Sequence, residues 1–270
     1  MRRLKQLIAL AIFAFLWVAN GKTAQVARAQ NIESEHAHKM QAIRLPLDSM
    51  DGLDVQGISD KGANPVKIQA NVANYRGRRA VRIVNDDGPA GTGSGGQVLA
   101  IVKTSDFKDG TIEAEVAGFP RQGAKPGTRG FIGIAFRVQD QSSRVEQVGQ
   151  VERVEHDEKF EAFYLRMTNG RADDQLQRNH SAQYVSEPDF PWNRLREENP
   201  GVYESYVDLS AGAWTRIRIV VAGTKAQLYV NGADQPCLIV NDLKLGETHG
   251  MVALWTGSDT EAYFSNLKIR

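Results

Sequence analysis

Gly130-Phe131-Ile132-Gly133-Ile134-Ala135-Phe136-Arg137-Val138 reads as one strand of a buried sheet. Ile132, Ile134, Phe136 and Val138 recur at every second residue, the period at which the side chains of a strand return to one face. They are expected to point inward, with Gly133, Ala135 and Arg137 opposite. Runs of the same kind cover 66–73, 78–84, 97–103, 110–117, 159–167, 202–209, 214–221, 226–230, 251–256 and 262–269. No stretch beyond the N-terminal leader keeps a helical period. Eleven short strands joined by brief turns predict an all-β protein, a two-sheet sandwich or a barrel. Ala222-Gly223-Thr224 reads as a hairpin turn and Asn231-Gly232 as another.

The same alternation sorts chemistry by face. In 110–117 the inward set is Ile112, Ala114 and Val116, which leaves Glu113 and Glu115 on the other side. In 159–167, Phe163, Leu165 and Met167 inward put Phe160, Ala162, Tyr164 and Arg166 outward, and Val252 and Leu254 inward put Trp255 outward. If these strands are neighbours, one sheet surface holds Glu113, Glu115, Arg137, Arg166, Tyr164 and Trp255. That mixture suits a sugar, whose apolar face stacks on a ring while fixed polar groups bond its hydroxyls. The same charges are equally the cross-strand ion pairs of a solvated sheet.

Between Thr168 and Tyr203 the alternation breaks into a long polar stretch with Asn169, Arg171, Asp173, Asp174, His180, Tyr184, Phe190 and Trp192. It is too long for an ordinary connection, and its aromatic content predicts an ordered, site-forming loop. Glu113 and Glu115 are candidate catalytic carboxylates and His180 a candidate proton carrier. Candidate ligand-binding residues are Arg137, Tyr164, Arg166, Asn169, Arg171, Asp173, Tyr184, Trp192 and Trp255.

Neither a metal nor a cofactor is expected. His36 and His38 lack a third ligand, and Asp173-Asp174 lack the spacing of an EF-hand loop. Gly91, Gly93 and Gly96 match G-x-G-x-x-G but lead into a strand instead of the helix that a dinucleotide needs. Cys237, the single cysteine, lies beside Leu238, Ile239 and Val240 and reads as a buried, unreactive thiol.

Arg2, Arg3 and Lys5, the apolar run 7–18 and the small residues around Ala27 and Ala29 form the pattern of a secretory signal over 1–29. The run is too short to span a bilayer. Residues 30–50 read as a flexible lead-in and 51–270 as one domain. The leader holds five basic residues and no acidic one, so the +1 of the whole chain becomes about −4 after cleavage, which argues against nucleic acid as a partner. A secreted or periplasmic location is expected, with no membrane span.

A resemblance rests on Phe107-Lys108-Asp109-Gly110-Thr111-Ile112-Glu113-Ala114-Glu115-Val116, 130–140 and 160–170. It extends to Gly212-Ala213-Trp214-Thr215-Arg216-Ile217-Arg218-Ile219, Leu228-Tyr229-Val230-Asn231-Gly232 and the closing Phe264-Ser265-Asn266-Leu267-Lys268-Ile269. These resemble the concanavalin A-like superfamily, near laminin G-like domains and the bacterial 3-keto-disaccharide hydrolase domain. The resemblance implies a two-sheet antiparallel jelly-roll sandwich with glycans taken on a concave sheet face, to which the long ordered loop from Thr168 to Tyr203 is an insertion longer than a minimal laminin G-like module carries. Laminarinase-type members carry E-x-D-x-x-E on one strand, whereas here Glu113-Ala114-Glu115 continues as Val116-Ala117-Gly118 without the last acid. The functional expectation is an exported protein binding an oligosaccharide or polysaccharide. The alternatives are an enzyme cleaving a glycoside bond by hydrolysis or elimination, and a laminin G-like module with a protein partner.

Overall fold

Extended backbone forms where the period-two runs occur. The computed structural model describes residues 42–59, 66–86, 96–139, 144–148, 151–155 and 158–270. β1 (Ile43–Leu45), β2 (Leu53–Ile58), β3 (Lys67–Tyr75), β4 (Arg78–Asp86), β5 (Gln97–Phe107), β6 (Gly110–Pro120) and β7 (Phe131–Gln139) come first. β8 (Arg144–Val148) and β9 (Val151–Glu155) form a two-stranded sheet. β10 (Lys159–Arg166), the short helix α1 (Gln175–Asn179), β11 (Ala182–Glu187), helix α2 (Trp192–Glu198) and β12 (Glu204–Ser205) follow. β13 (Thr215–Ala222), β14 (Lys225–Val230), β15 (Leu238–Val240), β16 (Gly250–Thr256) and β17 (Thr260–Ile269) complete the order.

Two antiparallel sheets carry the fold, a concanavalin A-like jelly roll. One runs β15-β14-β13-β6-β17-β4-β3, with β1 also on β17, and the other runs β12-β11-β10-β7-β16-β5-β2. Ile112, Ala114 and Val116 of β6, Ile217 and Ile219 of β13 and Phe264 of β17 share one core cluster with Ile132, Ile134 and Phe136 of β7, Phe163 and Leu165 of β10 and Leu254 of β16. Each large side chain so buried contributes about 1.5–3 kcal/mol over its exposed state. Cys237 is half-buried against this core, and burial pushes its thiol up to about 11, which keeps it protonated. Among the described residues no helix is long and apolar enough to cross a membrane.

The structure departs from the alternation in instructive places. β6 and β7 are consecutive yet belong to different sheets, so Glu113 and Glu115 do not share a surface with Tyr164 and Trp255. At Arg137, φ is +54° and the pairing of β7 with both β10 and β16 shifts register. This bulge reverses the parity that follows it. Arg137 becomes fully buried, and Val138, expected inward, joins Ala135 on the outer side. The stretch 168–203 is ordered but is not loop throughout: β11 is a paired strand of the seven-stranded sheet. The strand expected over 202–209 shrinks to two residues. Within 30–50, Ile43–Leu45 pairs with Leu267–Ile269. The signal segment, His36, His38, Gly91 and Gly93 lie outside the described residues.

Candidate functional site

Gly133 organises the outer face of the seven-stranded sheet. It pairs with Tyr164 on one side and Trp255 on the other. A Cβ there would stand 2.2 Å from the Phe163 carbonyl oxygen and 2.6 Å from Tyr164 Cα, so only glycine fits. The two flanking rings lean over the gap and stack at 4.6 Å and 24°, with Phe131 edge-on to Tyr164 at 6.1 Å. Trp255 Nε1 donates to Gln97 Oε1 at 2.6 Å, and Gln97 Nε2 donates to Glu187 Oε1 at 3.3 Å. β5 and β11, which bear those two side chains, stand four places apart in the sheet. In a flat sheet they would be about 19 Å apart at the usual spacing. The sheet therefore curls toward this side, and its outer face is concave.

The rings themselves are not open to ligand. Tyr164 retains 3% and Trp255 4% of their exposure, and their faces are spent on each other. Burial pushes the Tyr164 phenol up, partly opposed by the charge of Arg166. The aromatic pair thus forms the floor of a site whose accessible groups lie beyond it, toward the ends of β10 and β11.

Arg166 starts that region. Its guanidinium donates to Tyr164 Oη at 2.9 Å, Gln183 Oε1 at 3.2 Å and the His180 carbonyl at 2.9 Å, and lies 5.9 Å from the Trp192 ring. Arg196 lies over the same ring at 4.8 Å and forms a bidentate pair with Glu204, with contacts of 2.7 and 3.1 Å. His180 Nδ1 stands 2.8 Å from Glu204 Oε2, close enough for a hydrogen bond but not aligned for one. Burial lowers the His180 pKa, Glu204 raises it and Arg196 lowers it, and the net value falls below the ordinary one. The imidazole is neutral at neutral pH. It is carried at the end of α1, whose N-cap Asp174 accepts from Gln177 N at 2.6 Å, and Asn169 holds the other side by donating to the His180 carbonyl at 3.2 Å. Trp192 keeps 45% exposure and is the accessible ring of the group.

The remaining candidates fall elsewhere. Glu113 pairs with Arg270, and Glu115 with Arg78 at 2.7 Å, on the outer face of the eight-stranded sheet, the far side of the sandwich from His180. Burial raises the Glu115 pKa, but hydrogen bonds from Asn266 and Arg78 and the charges of Arg78 and Arg216 outweigh it, so the carboxyl sits below its usual range and holds no proton to donate. Arg137 is a structural clip: it donates to the carbonyls of Lys108, Gly223 and Gly246 and meets Asp109 at 3.4 Å. Tyr184 is a core residue that bonds the buried Glu161, whose pKa is raised by burial. Arg171 forms an exposed ion pair with Asp208, and Asp173 is exposed. Among the described residues no three His, Cys, Asp or Glu side chains gather as a metal site.

Sequence reasoning missed Glu204, Arg196 and Gln183. Gln183 was findable as the outward neighbour of Tyr184 once 182–187 is read as a strand. Glu204 and Arg196 carry no local signal, since only the fold brings them to His180.

The sequence profile of one family matches residues 50–270. The chain belongs to the 3-keto-alpha-glucoside-1,2-lyase-like domain family. Its fold is similar to that of a Bacillus subtilis protein of unknown function with a galectin-like fold, at 12% identity over 84% of this chain and 93% of that one, with a TM-score of 0.52. It is also similar to the carbohydrate binding module CBM66 from Bacillus subtilis (12% identity, 77% and 98% covered, TM-score 0.45) and to a beta-glucanase of Bacillus licheniformis (12%, 84% and 96%, 0.45). At such identities the likeness is one of fold. No curated protein matches the chain.

Proposed function

We propose that this protein is exported and acts on a 3-keto-glycoside at the Arg166–His180–Glu204 end of the concave face, breaking the glycosidic bond by elimination. The observation that carries the reading is the neutral, half-buried His180 beside Glu204, flanked by two guanidinium groups over an accessible tryptophan. The family's name supplies the substrate class.

A ketone at C3 acidifies the C2 hydrogen of the sugar. His180 takes that proton, and the electron pair becomes an enolate whose charge Arg166 or Arg196 stabilises. The enolate re-forms the ketone as a C1–C2 double bond appears and the C1–O bond breaks. The departing oxygen takes the proton back from the imidazolium. One glycoside becomes one conjugated enone and one alcohol, and no water is consumed. Glu204, itself held by Arg196, steadies the imidazolium between the two transfers.

Incubating the mature protein with 3-keto-α-glucosides and following ultraviolet absorbance of the enone together with release of the alcohol tests this. Enone formation that disappears in His180→Ala is expected. Full activity in that variant, or uptake of isotope from labelled water at the anomeric carbon, overturns elimination by His180. Exposure of Trp192 favours a second reading, glycan binding without chemistry, which thermal stabilisation by sugars with no product release would identify.

A further inference from the structure

The outer face of the eight-stranded sheet, on the other side of the molecule from His180, carries an aromatic cluster to which the reaction gives no role. Tyr75 at the end of β3, Phe119 of β6, Tyr263 of β17 and Trp214 just before β13 pack over Ala73, Ala80 and Ala117. The small residues beneath let the rings lie close to the sheet. Tyr75 and Tyr263 stack at 4.0 Å and 14°, Tyr75 and Phe119 at 5.9 Å and 26°, and Phe119 and Tyr263 at 6.2 Å and 23°, so three rings are near-parallel. Trp214 stands edge-on to Tyr75.

The rim of this cluster is built from fixed polar groups. Arg78 lies 4.9 Å over the Trp214 ring and pairs with Glu115. Arg82 pairs with Glu261 at 2.8 Å, which also accepts from Tyr263 Oη at 2.7 Å. Tyr75 Oη donates to the Gly212 carbonyl at 2.8 Å and so holds its ring across the sheet. Arg76, exposed at the hairpin tip, reaches over Tyr75 at 5.6 Å and has no ion-pair partner among the described residues. Trp214 Nε1 is out of solvent contact and has no acceptor, a donor that a ligand oxygen displacing Arg78 from the indole would satisfy.

We propose that this platform is a second glycan-binding site, which anchors the protein to a saccharide chain while the concave face works on a separate substrate. Tyr75 and Tyr263 spend their facing sides on each other, which leaves the half-buried rings of Phe119 and Trp214, edged by guanidinium and carboxylate groups, to meet a pyranose, which offers an apolar face and a girdle of hydroxyls. The dimensions favour a sugar over a protein. Tyr75, Phe119 and Trp214 are only half-buried, yet Ile239, at the far edge of the sheet on β15, is the one large apolar side chain of this sheet that is strongly exposed among the described residues. A stable protein interface buries about 800 Å² per partner around an apolar centre, whereas the rings here are themselves half-buried or buried. The site stands on its own geometry and does not depend on the elimination chemistry.

Affinity electrophoresis of the mature protein through gels cast with amylose, mixed-linkage β-glucan, xylan or pectin tests it. Retardation by at least one polymer is expected, weakened about tenfold in Arg76→Asn and Trp214→Ala and unchanged in His180→Ala. Arg76→Asn alters an exposed residue at φ +43°, a conformation that asparagine accepts, so loss of retention in that variant reports the site and not unfolding. Migration unaffected by every polymer, retention equal to wild type in Arg76→Asn and Trp214→Ala, or loss confined to Trp192→Ala overturns the proposal.

Discussion

The two outer faces of the sandwich carry similar side chains to different ends. On the concave face, Arg166, Gln183 and Glu204 retain 6%, 1% and 8% of their exposure, and each is held by hydrogen bonds to named partners. On the opposite face, Glu113 and Glu115 sit in partly exposed ion pairs with Arg270 and Arg78. Desolvation separates the two. A charge taken out of water has an altered proton affinity and a fixed direction, both of which chemistry needs, whereas a solvated pair is screened and worth little. Charge alone on a sheet face therefore does not mark a site; burial together with unequal pairing does.

The largest expected contrast is catalytic. His180→Ala should lower turnover of a 3-keto-glucoside by about 10²–10⁴-fold, the usual share of a general base, while Glu115→Gln leaves it unchanged. Equal losses in the two variants, read as initial rates, would break the assignment of the concave face.

Next comes stability. Arg137→Ala should cost about 3–5 kcal/mol, because it strands three carbonyl acceptors and removes the positive charge opposing the burial of Glu161. Denaturant midpoints measure this, and a loss no larger than that of Arg78→Ala would show the clip to be dispensable. Gly133→Ala should cost about 1–3 kcal/mol by overpacking and should also shift Trp255 fluorescence as the stacked pair is pushed apart.

A smaller effect is expected with pH. Because burial holds His180 below the ordinary value of about 6.5, the acid limb of the rate profile should fall below that pH and the rate should be flat through neutrality. The stability contributed by the neutral imidazole is complete above the unfolded value and is lost as pH falls through the lower folded one. Glu204→Gln removes a charge that raises the His180 pKa, so the limb should move lower still; a limb moving upward would contradict the pairing. The smallest effect is that of Glu113→Gln, less than about 1 kcal/mol and fading with added salt.

Much of the fold was legible in the order of residues. The inward sets of β6, β7 up to Phe136, β10 and β16 follow from alternation, as does the outward placement of Tyr164, Arg166 and Trp255. The candidate site was legible only in part. Arg166, His180 and Trp192 were named as candidates and do stand together, but Glu204 and Arg196, which give His180 its electrostatics, lie in a stretch where alternation is silent. Alternation puts Arg137 on the wrong face because a bulge is a one-residue irregularity set by both neighbouring strands at once. The segment 182–187 reads as loop by alternation because Gln183 and Ser186, though polar, are buried beneath hydrogen bonds that distant residues supply.

What the sequence by itself determined is local: extended backbone turns successive side chains to opposite faces whatever the rest of the chain does. What the tertiary structure decided is which faces coincide. Whether β6 lies beside β7 or across the core from it depends on strand pairings such as that of β6 with β17, which sets Ile112 opposite Ile269. Such contacts form only when the whole apolar core closes, so their outcome is a property of the assembled sheets and of no single stretch.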